Sequence, residues 1–494
     1  MILKNAIRMI PGIECDENMD IPISGIACDS RMAQSGDLFV AVKGEKNDGA
    51  LFIADAAANG AVAAASERPP DGKQAIPHIR VKDAREFLAE ISRAFYRSPC
   101  SKLKLAAVTG TKGKTTAVWL IDSICTCAGL ASCLMGTIEM RILDERFTSV
   151  HTTPEAPDIG RFFHNAVERG CTHGALEVSS HALALKRVYG AKFTVGVFMN
   201  LSHDHLDFHG NMEAYYQAKK TLFTVENGNG IETAVINIDD SYGRRLADEI
   251  KIPVTTFGFQ PTADIYVKDW RSRLDGTDLV LDTPEGEIAF HSRLVGRPNA
   301  YNIMAATGAA FGLGLTAEQI RAGVEALAGI PGRMERVDAG QDFLVVVDYA
   351  HTPASLENLL ETAKQLPHRK IITVFGCGGD RDSAKRPLMG EIAARLSDVV
   401  IATSDNPRSE DPVRIINEIT PGLEKGPAAY RINPDRHDAI REAINMACRD
   451  DIVIIAGKGH ETYQIVGGRK LPFDDREVAR ETLLSNCELR ITKK

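Results

Sequence analysis

The segment Leu105-Ala-Ala-Val-Thr-Gly-Thr-Lys-Gly-Lys-Thr-Thr116 constrains this chain more than any other stretch. Its apolar start reads as a buried strand, and the residues from about Thr115 onward read as a helix. Gly110 and Gly113 lie between them. A strand that passes through a glycine loop into a helix aims backbone N–H groups and the positive end of the helix at one point. Lys114 adds a charge there, and the hydroxyl of Thr115 or Thr116 stands where a phosphate-bound Mg²⁺ would need a ligand. A strict phosphate loop would carry glycine at position 108, where this chain has Val108. The remaining Gly113-Lys-Thr-Thr116 keeps the chemistry, so the expectation is a nucleotide triphosphate held on an α/β sheet.

The pattern of apolar strand, loop and helix recurs along the chain, with strands expected at Thr194 to Met199 and Thr233 to Ile238. That alternation predicts mainly parallel, doubly wound sheets. At 494 residues the chain is too long for one ordinary core. Two breaks divide it. Tyr96-Arg-Ser-Pro-Cys100 reads as a linker, because Pro99 disfavours helix at the residue before it. Gly329-Ile-Pro-Gly-Arg333 reads as a second. Three domains are therefore expected, at residues 1–100, 101–333 and 334–494. The first is a smaller α/β domain with strand-like pieces at Leu38 to Val42 and Ala61 to Ala65 and a helix from Phe52 to Gly60. The central domain carries the nucleotide loop. In the last, strands are expected at Phe343 to Val347, Lys370 to Phe375, Asp398 to Ala402 and Asp451 to Ile455, with helices at Ala384 to Leu396 and His437 to Cys448, a Rossmann-like order.

Bulk properties exclude several classes. A net charge of -8 argues against a nucleic-acid binder, and anionic substrates then need local positive pockets. No apolar run approaches the ~18 residues of a membrane span. The start of the chain lacks a secretory pattern, and ten scattered cysteines read as reduced thiols, so a cytoplasmic location is expected. Cys125 and Cys127 form a lone CxC without the second pair that a zinc site needs.

His203, His205 and His209 with Asp204 and Asp207 form the densest ligand group. A metallo-hydrolase motif, His-x-His-x-Asp-His, would need histidine at 208, and Phe208 stands there. Lys219 by its own pattern reads as a solvated helix charge.

A series of further motifs runs in order through the chain: Asp29-Ser-Arg31, Gly36-Asp-Leu-Phe-Val40, Thr152-Thr-Pro154, Glu177-Val-Ser-Ser-His181, Asn200-Leu-Ser-His-Asp-His-Leu-Asp207, Ala218-Lys219, Gly332-Arg-Met-Glu335, Asp348-Tyr-Ala-His-Thr-Pro353, Gly376-Cys-Gly-Gly-Asp-Arg381, Asp405-Asn-Pro-Arg408 and Gly457-Lys-Gly-His-Glu461. Together with the loop they resemble the Mur ligase family, whose folylpolyglutamate synthase relatives share the loop. His151 and Lys112 stand where that family usually has asparagine.

The resemblance implies an ATP-dependent, amide-forming ligase with a P-loop-type central domain. Its substrates would be UDP-N-acetylmuramoyl-L-alanyl-D-glutamate and meso-2,6-diaminopimelate, joined through an acyl phosphate, by a monomer acting without nucleic acid or membrane. It places ATP on Gly110, Thr111, Lys112, Gly113, Lys114, Thr115 and Thr116, with Asn299 and Asn302 near the adenosine and Arg333 near the phosphates. Mg²⁺ would be held by Thr115, Glu177, His205 and Lys219, the last carbamylated to N6-carboxylysine, and the catalytic set would be Lys114, Lys219, His205 and Glu177. Ser30, Thr152, Thr153, Ser179 and Arg187 would hold the UDP-linked dipeptide. Arg381, Asp405, Asn406, Pro407, Arg408, Gly457 and Glu461 would form the amino-acid pocket. There the Arg408 guanidinium can clamp the extra carboxylate by which diaminopimelate differs from lysine. A lysine-adding homologue, or more remotely a nucleotide-dependent switch, is the alternative.

Overall fold

A computed structural model describes residues 1–10, 19–44, 47–68, 76–224, 228 and 230–491. Three α/β sections follow one another, each on its own sheet. The first sheet has four parallel strands in chain order: Gly25–Ala27, Asp37–Val40, Ala63–Ser66 and His78–Arg80. The expected helix at Phe52 to Gly60 is in fact a 3₁₀ turn, Gly49–Phe52, followed by the helix Ile53–Ala58. Asp48 sets that start, since its carboxylate accepts the Ala50 N–H and tightens the first turn. The helix Ala84–Phe95 closes the section, capped by Asp83. Arg97 and Ser98 then take left-handed backbone (φ 61° and 49°) and Pro99 opens a 3₁₀ turn, which ends the helix there.

An eleven-stranded sheet follows, and its centre decides where the nucleotide loop points. The strand Lys104–Thr109 lies between His173–Glu177 and Lys192–Phe198, parallel to both. Val108 pairs with Glu177 and Thr109 with Phe198, so all three strands end at one level. Ligands of open parallel sheets bind at such carboxyl edges. A large apolar cluster, including Leu105, Leu176, Phe193 and Phe198, fixes this register.

The last sheet runs Glu335–Arg336, Leu344–Asp348, Ile452–Ala456, Ile371–Phe375, Val399–Ala402, Ala429–Ile432, parallel except at its first strand. Asp348, Ala456, Phe375 and Ala402 share a level, which puts Gly376, Thr403 and Gly457 along one rim. The chain forms two compact units. One comprises Met1–Val267, Leu281–Ile288 and Tyr301–Gly323, the other Lys268–Val280, Ala289–Ala300 and Val324–Lys494. No helix among the described residues is long and apolar enough to cross a membrane.

Candidate active site

The loop after Thr109 is shaped by close approach. Gly110 (φ 148°) passes Met199 so tightly that a Cβ would lie 2.7 Å from the Met199 Cβ. Gly113 (φ 87°) begins the helix Lys114–Cys127, and a Cβ there would meet Asn302 Oδ1 at 2.5 Å. Both positions need glycine. Asn200 fastens the loop from the neighbouring strand end. Its carbonyl accepts the Thr111 N–H at 2.9 Å and its Oδ1 accepts the Lys112 N–H at 2.9 Å. Lys114 folds back to donate to the Gly110 and Thr111 carbonyls at 2.9 and 3.0 Å. Its ammonium is thus held over the loop it serves.

On the other side, buried Glu177 collects donors. Thr115 Oγ1 donates to Oε2 at 3.0 Å, Thr137 Oγ1 to the same atom at 3.1 Å, and the Thr137 N–H to Oε1 at 2.7 Å. A Cβ on Gly136 would collide with that carboxylate at 2.4 Å. The hydroxyl of Thr115 and the carboxylate of Glu177 are hard oxygen donors of the kind Mg²⁺ prefers.

Lys219 is buried on the helix Met212–Lys220 and donates to the Gly110 carbonyl at 2.9 Å. Burial holds its amine well below the ordinary lysine range, and Lys114 reinforces this against a weaker opposing pull from Asp204. The sequence pattern read it as a solvated charge, and the fold buries it instead. His205 starts the short helix Leu206–His209 in left-handed backbone (φ 52°). Its ring lies 4.9 Å from that of His181 and 6.2 Å from Tyr215. Burial lowers its pKa and, together with His181, Lys219 and His205, pushes His209 down to about 4. His203 is exposed.

Thr152, Thr153, Ser179 and Arg187 lie along the same rim. Thr152 Oγ1 is 3.0 Å from Thr137 Oγ1. Thr153 Oγ1 donates to the Glu177 carbonyl at 2.8 Å and accepts the Ser179 N–H at 3.0 Å. Arg187 donates to the Thr153 carbonyl at 2.9 Å and pairs with Glu155 at 2.9 Å. Ser30 lies in the first section, buried beneath Asn59, which donates to its carbonyl at 2.9 Å. Among the described residues no hydrogen bond joins Ser30 to the other four.

The second cluster occupies the rim of the last sheet, in the other compact unit. Asn406 Nδ2 donates to Glu461 Oε2 at 2.8 Å, and Asn406 Oδ1 accepts from Lys458 at 3.2 Å and from the Ile465 N–H at 2.9 Å. Asp405 Oδ1 accepts the Asn406 N–H at 2.6 Å, while its buried Oδ2 has no hydrogen-bond partner. Gly457 (φ 120°) leaves that oxygen room, since a Cβ would lie 2.5 Å away. Arg408, after Pro407, adopts left-handed backbone (φ 54°), and its Nη1 donates to the Gly379 carbonyl at 2.7 Å. Arg436 and Asp475 form a fully buried pair beneath, through two 2.7 Å bonds.

Arg381, Asn299 and Arg333, also expected site residues, make other contacts. Arg381 is exposed and makes a long 3.4 Å bond to the Asp380 carbonyl. Asn299 donates to the Val295 carbonyl at 2.8 Å, just ahead of its own helix, Arg297–Leu313. Arg333 lies over the Tyr349 ring at 5.2 Å with its Nε buried and unpaired. Sequence reasoning passed over Gly136, Thr137 and Lys458. Lys458 lay inside a quoted motif, but nothing in the pattern around Gly136 and Thr137 signals that they would grip Glu177.

Three family descriptions match in chain order: the Mur ligase family catalytic domain at residues 22–96, the Mur ligase middle domain at 108–310 and the Mur ligase glutamate ligase domain at 332–459. The chain is 47% identical over 463 residues to the UDP-N-acetylmuramoyl-L-alanyl-D-glutamate--2,6-diaminopimelate ligase of Solibacter usitatus (strain Ellin6076), covering 93% of both. It is likewise 47% identical over 474 residues to the ligase of that name from Gloeobacter violaceus (strain ATCC 29082 / PCC 7421), covering 96% of both. A solved structure of a ligase with the same name superposes with a TM-score of 0.73 at 34% identity, covering 98% of this chain and 99% of the other. The MurF ligase of Thermotoga maritima, solved with ADP, shares the fold at a TM-score of 0.63 and 19% identity, covering 95% of this chain and 99% of that one. The chain therefore belongs to the Mur ligase family.

Proposed function

We propose that this chain joins meso-2,6-diaminopimelate to the γ-carboxylate of the D-glutamyl residue in UDP-N-acetylmuramoyl-L-alanyl-D-glutamate, at the expense of ATP, as a step of peptidoglycan precursor synthesis. The observation that carries this reading is that a guanidinium, Arg408, and a carboxylate, Glu461, both contact Asn406 on one sheet rim. A zwitterionic far end on the incoming amino acid needs that combination of charges.

Residues 1–100 and the rim of Thr152, Thr153, Ser179 and Arg187 receive the UDP-linked dipeptide in this account. Residues 101–333 bind ATP and 334–494 the amino acid. A carboxylate acylates poorly at neutral pH, so its oxygen must first become part of a leaving group. The dipeptide's γ-carboxylate attacks the γ-phosphorus of ATP, giving an acyl phosphate and ADP. The amine of diaminopimelate then attacks the acyl carbon and phosphate departs. Gly110 to Thr116 place the triphosphate and Lys114 faces the charge that develops during transfer. Mg²⁺, held by Thr115, Glu177, His205 and carbamylated Lys219, would supply further neutralisation of the phosphates. Burial lowers the pKa of the Lys219 amine, and the unprotonated amine is the form that reacts with carbon dioxide, which supports carbamylation there. Lys219→Ala should lose most activity and acetate should restore part of it. Full activity without added acid would remove the carbamate. We place the enzyme in the cytoplasm as a monomer, where ATP and UDP-linked substrates are available.

The decisive test incubates the protein with ATP, Mg²⁺ and the UDP-dipeptide, with diaminopimelate or lysine as acceptor, and reads the nucleotide product by mass spectrometry. A product extended by diaminopimelate and not by lysine is expected. No extended product would reject the reading, and equal use of lysine would reject the acceptor assignment.

A further inference from the structure

Lys458 is completely buried, and its ammonium lies 3.0 Å from Glu461 Oε2 and 3.2 Å from Asn406 Oδ1. Asn406 and Lys458 both donate to Oε2, so the other oxygen of Glu461 is left for a ligand. Lys458 and the Ile465 N–H also occupy Asn406 Oδ1, which forces the amide to present Nδ2 to Glu461. Glu461 therefore meets the acceptor already paired inside the protein. Arg408 does not. Its guanidinium donates to the Gly379 and Asn406 carbonyls, and among the described residues no carboxylate lies within ion-pair distance of it, Asp380 acting on it only from further away. Glu461 is thus balanced by Lys458, and buried Arg436 by Asp475.

Building on the diaminopimelate reading above, we propose that Lys458 is a positioning residue that sets acceptor specificity. By cancelling the Glu461 charge it weakens the pull on a bare cation, and so favours an acceptor whose far end is itself neutral overall, a paired ammonium and carboxylate. Two consequences separate this from a purely architectural lysine. The acceptor's far carboxylate matters more than its far ammonium, because Glu461 is already bonded to a cation whereas the Arg408 guanidinium donates to carbonyls. Removing the Lys458 charge leaves the pocket one unit more negative, which favours a simple cation such as lysine over the zwitterion.

The experiment measures kcat/KM of the full-length enzyme with ATP, Mg²⁺ and the UDP-dipeptide for three acceptors: meso-diaminopimelate, L-lysine, and 2-aminopimelate, which keeps the far carboxylate and lacks the far amine. The wild type should rank them diaminopimelate, then 2-aminopimelate, then lysine. Lys458→Met and Lys458→Gln should lower the diaminopimelate-to-lysine ratio by about tenfold or more, and Lys458→Arg should recover part of it. An unfolded fraction cancels in that ratio, and the wild-type ranking needs no variant at all. A wild type that prefers lysine to 2-aminopimelate overturns the proposal, as does an unchanged ratio in the neutral variants. A wild type that does not prefer diaminopimelate to lysine refutes the acceptor reading itself, a distinct result.

Discussion

Around Gly110 the surface offered to an anion is mostly backbone: a loop pressed against Met199, a helix N-terminus, and one lysine tied back to two loop carbonyls. Around Asn406 it is side chain, with a carboxylate, an amide and a lysine holding each other in place beside an arginine held by backbone carbonyls. The first arrangement suits a ligand common to many enzymes, since a phosphate asks only for donors in a curve. The second suits a ligand that must be told from near relatives, since discrimination needs charges at fixed positions. Substitutions in the two places should therefore fail differently. The loop should lose turnover with every acceptor, whereas the amino-acid cluster should lose selectivity.

The sharpest break in that comparison comes from Lys114→Met. It removes a cation held against two carbonyls of the glycine loop, and the loss should be about 4 kcal/mol in the chemical step. Turnover with diaminopimelate should fall while the KM for the acceptor hardly moves. A variant whose defect appeared in acceptor KM alone would erase the distinction between the regions. Next in size, Arg408→Ala should cost about 3 kcal/mol in kcat/KM for diaminopimelate and much less for lysine. Unchanged kinetics with both would remove Arg408 from the pocket. Gly113→Ala probes the loop as backbone. A methyl would sit 2.5 Å from Asn302 Oδ1 at a left-handed position, so about 2 kcal/mol of strain is expected. It should emerge as a raised KM for ATP, measured by coupled ADP release, with the ratio between acceptors intact.

The same contrast governs what could be read from the chain alone. The loop was legible because its function resides in a contiguous strand, glycines and helix start, a local pattern that survives without tertiary knowledge. The four strands expected in the last section were legible to within a residue or so, because fully buried parallel strands such as Ile371–Phe375 are continuous apolar runs, whereas the exposed strand Ala429–Ile432 was missed. The environment of Lys219 was not. Its burial depends on the Gly110 carbonyl, 109 residues earlier in the chain, and on the Tyr215 ring, so a helix-face pattern alone misreads it. Thr137 is similar, since its value comes from Glu177, 40 residues away. The resemblance named most of the amino-acid cluster, yet gave no reason to single out Lys458, whose partners Asn406 and Glu461 become visible only as a folded network.

The smallest effect makes the finest test. Arg381 and Arg408 both belong to the expected amino-acid pocket, but they are held very differently. Arg408 is partly buried, with a 2.7 Å bond to the Gly379 carbonyl, so its guanidinium is in place before the acceptor arrives. Arg381 is exposed and tethered by one 3.4 Å bond to its neighbour's carbonyl. A mobile, solvated charge attracts an anionic acceptor from a distance, and salt screens it. Arg381→Ala should thus raise the KM for diaminopimelate by less than about tenfold, which is ~1.4 kcal/mol, and the difference from wild type should shrink as ionic strength rises. The Arg408→Ala defect should persist in salt, because a fixed, partly desolvated guanidinium is screened far less. Equal salt sensitivity in the two variants would mean that Arg408 is as loosely held in solution as Arg381, and the fixed-charge account of the pocket would fail with it.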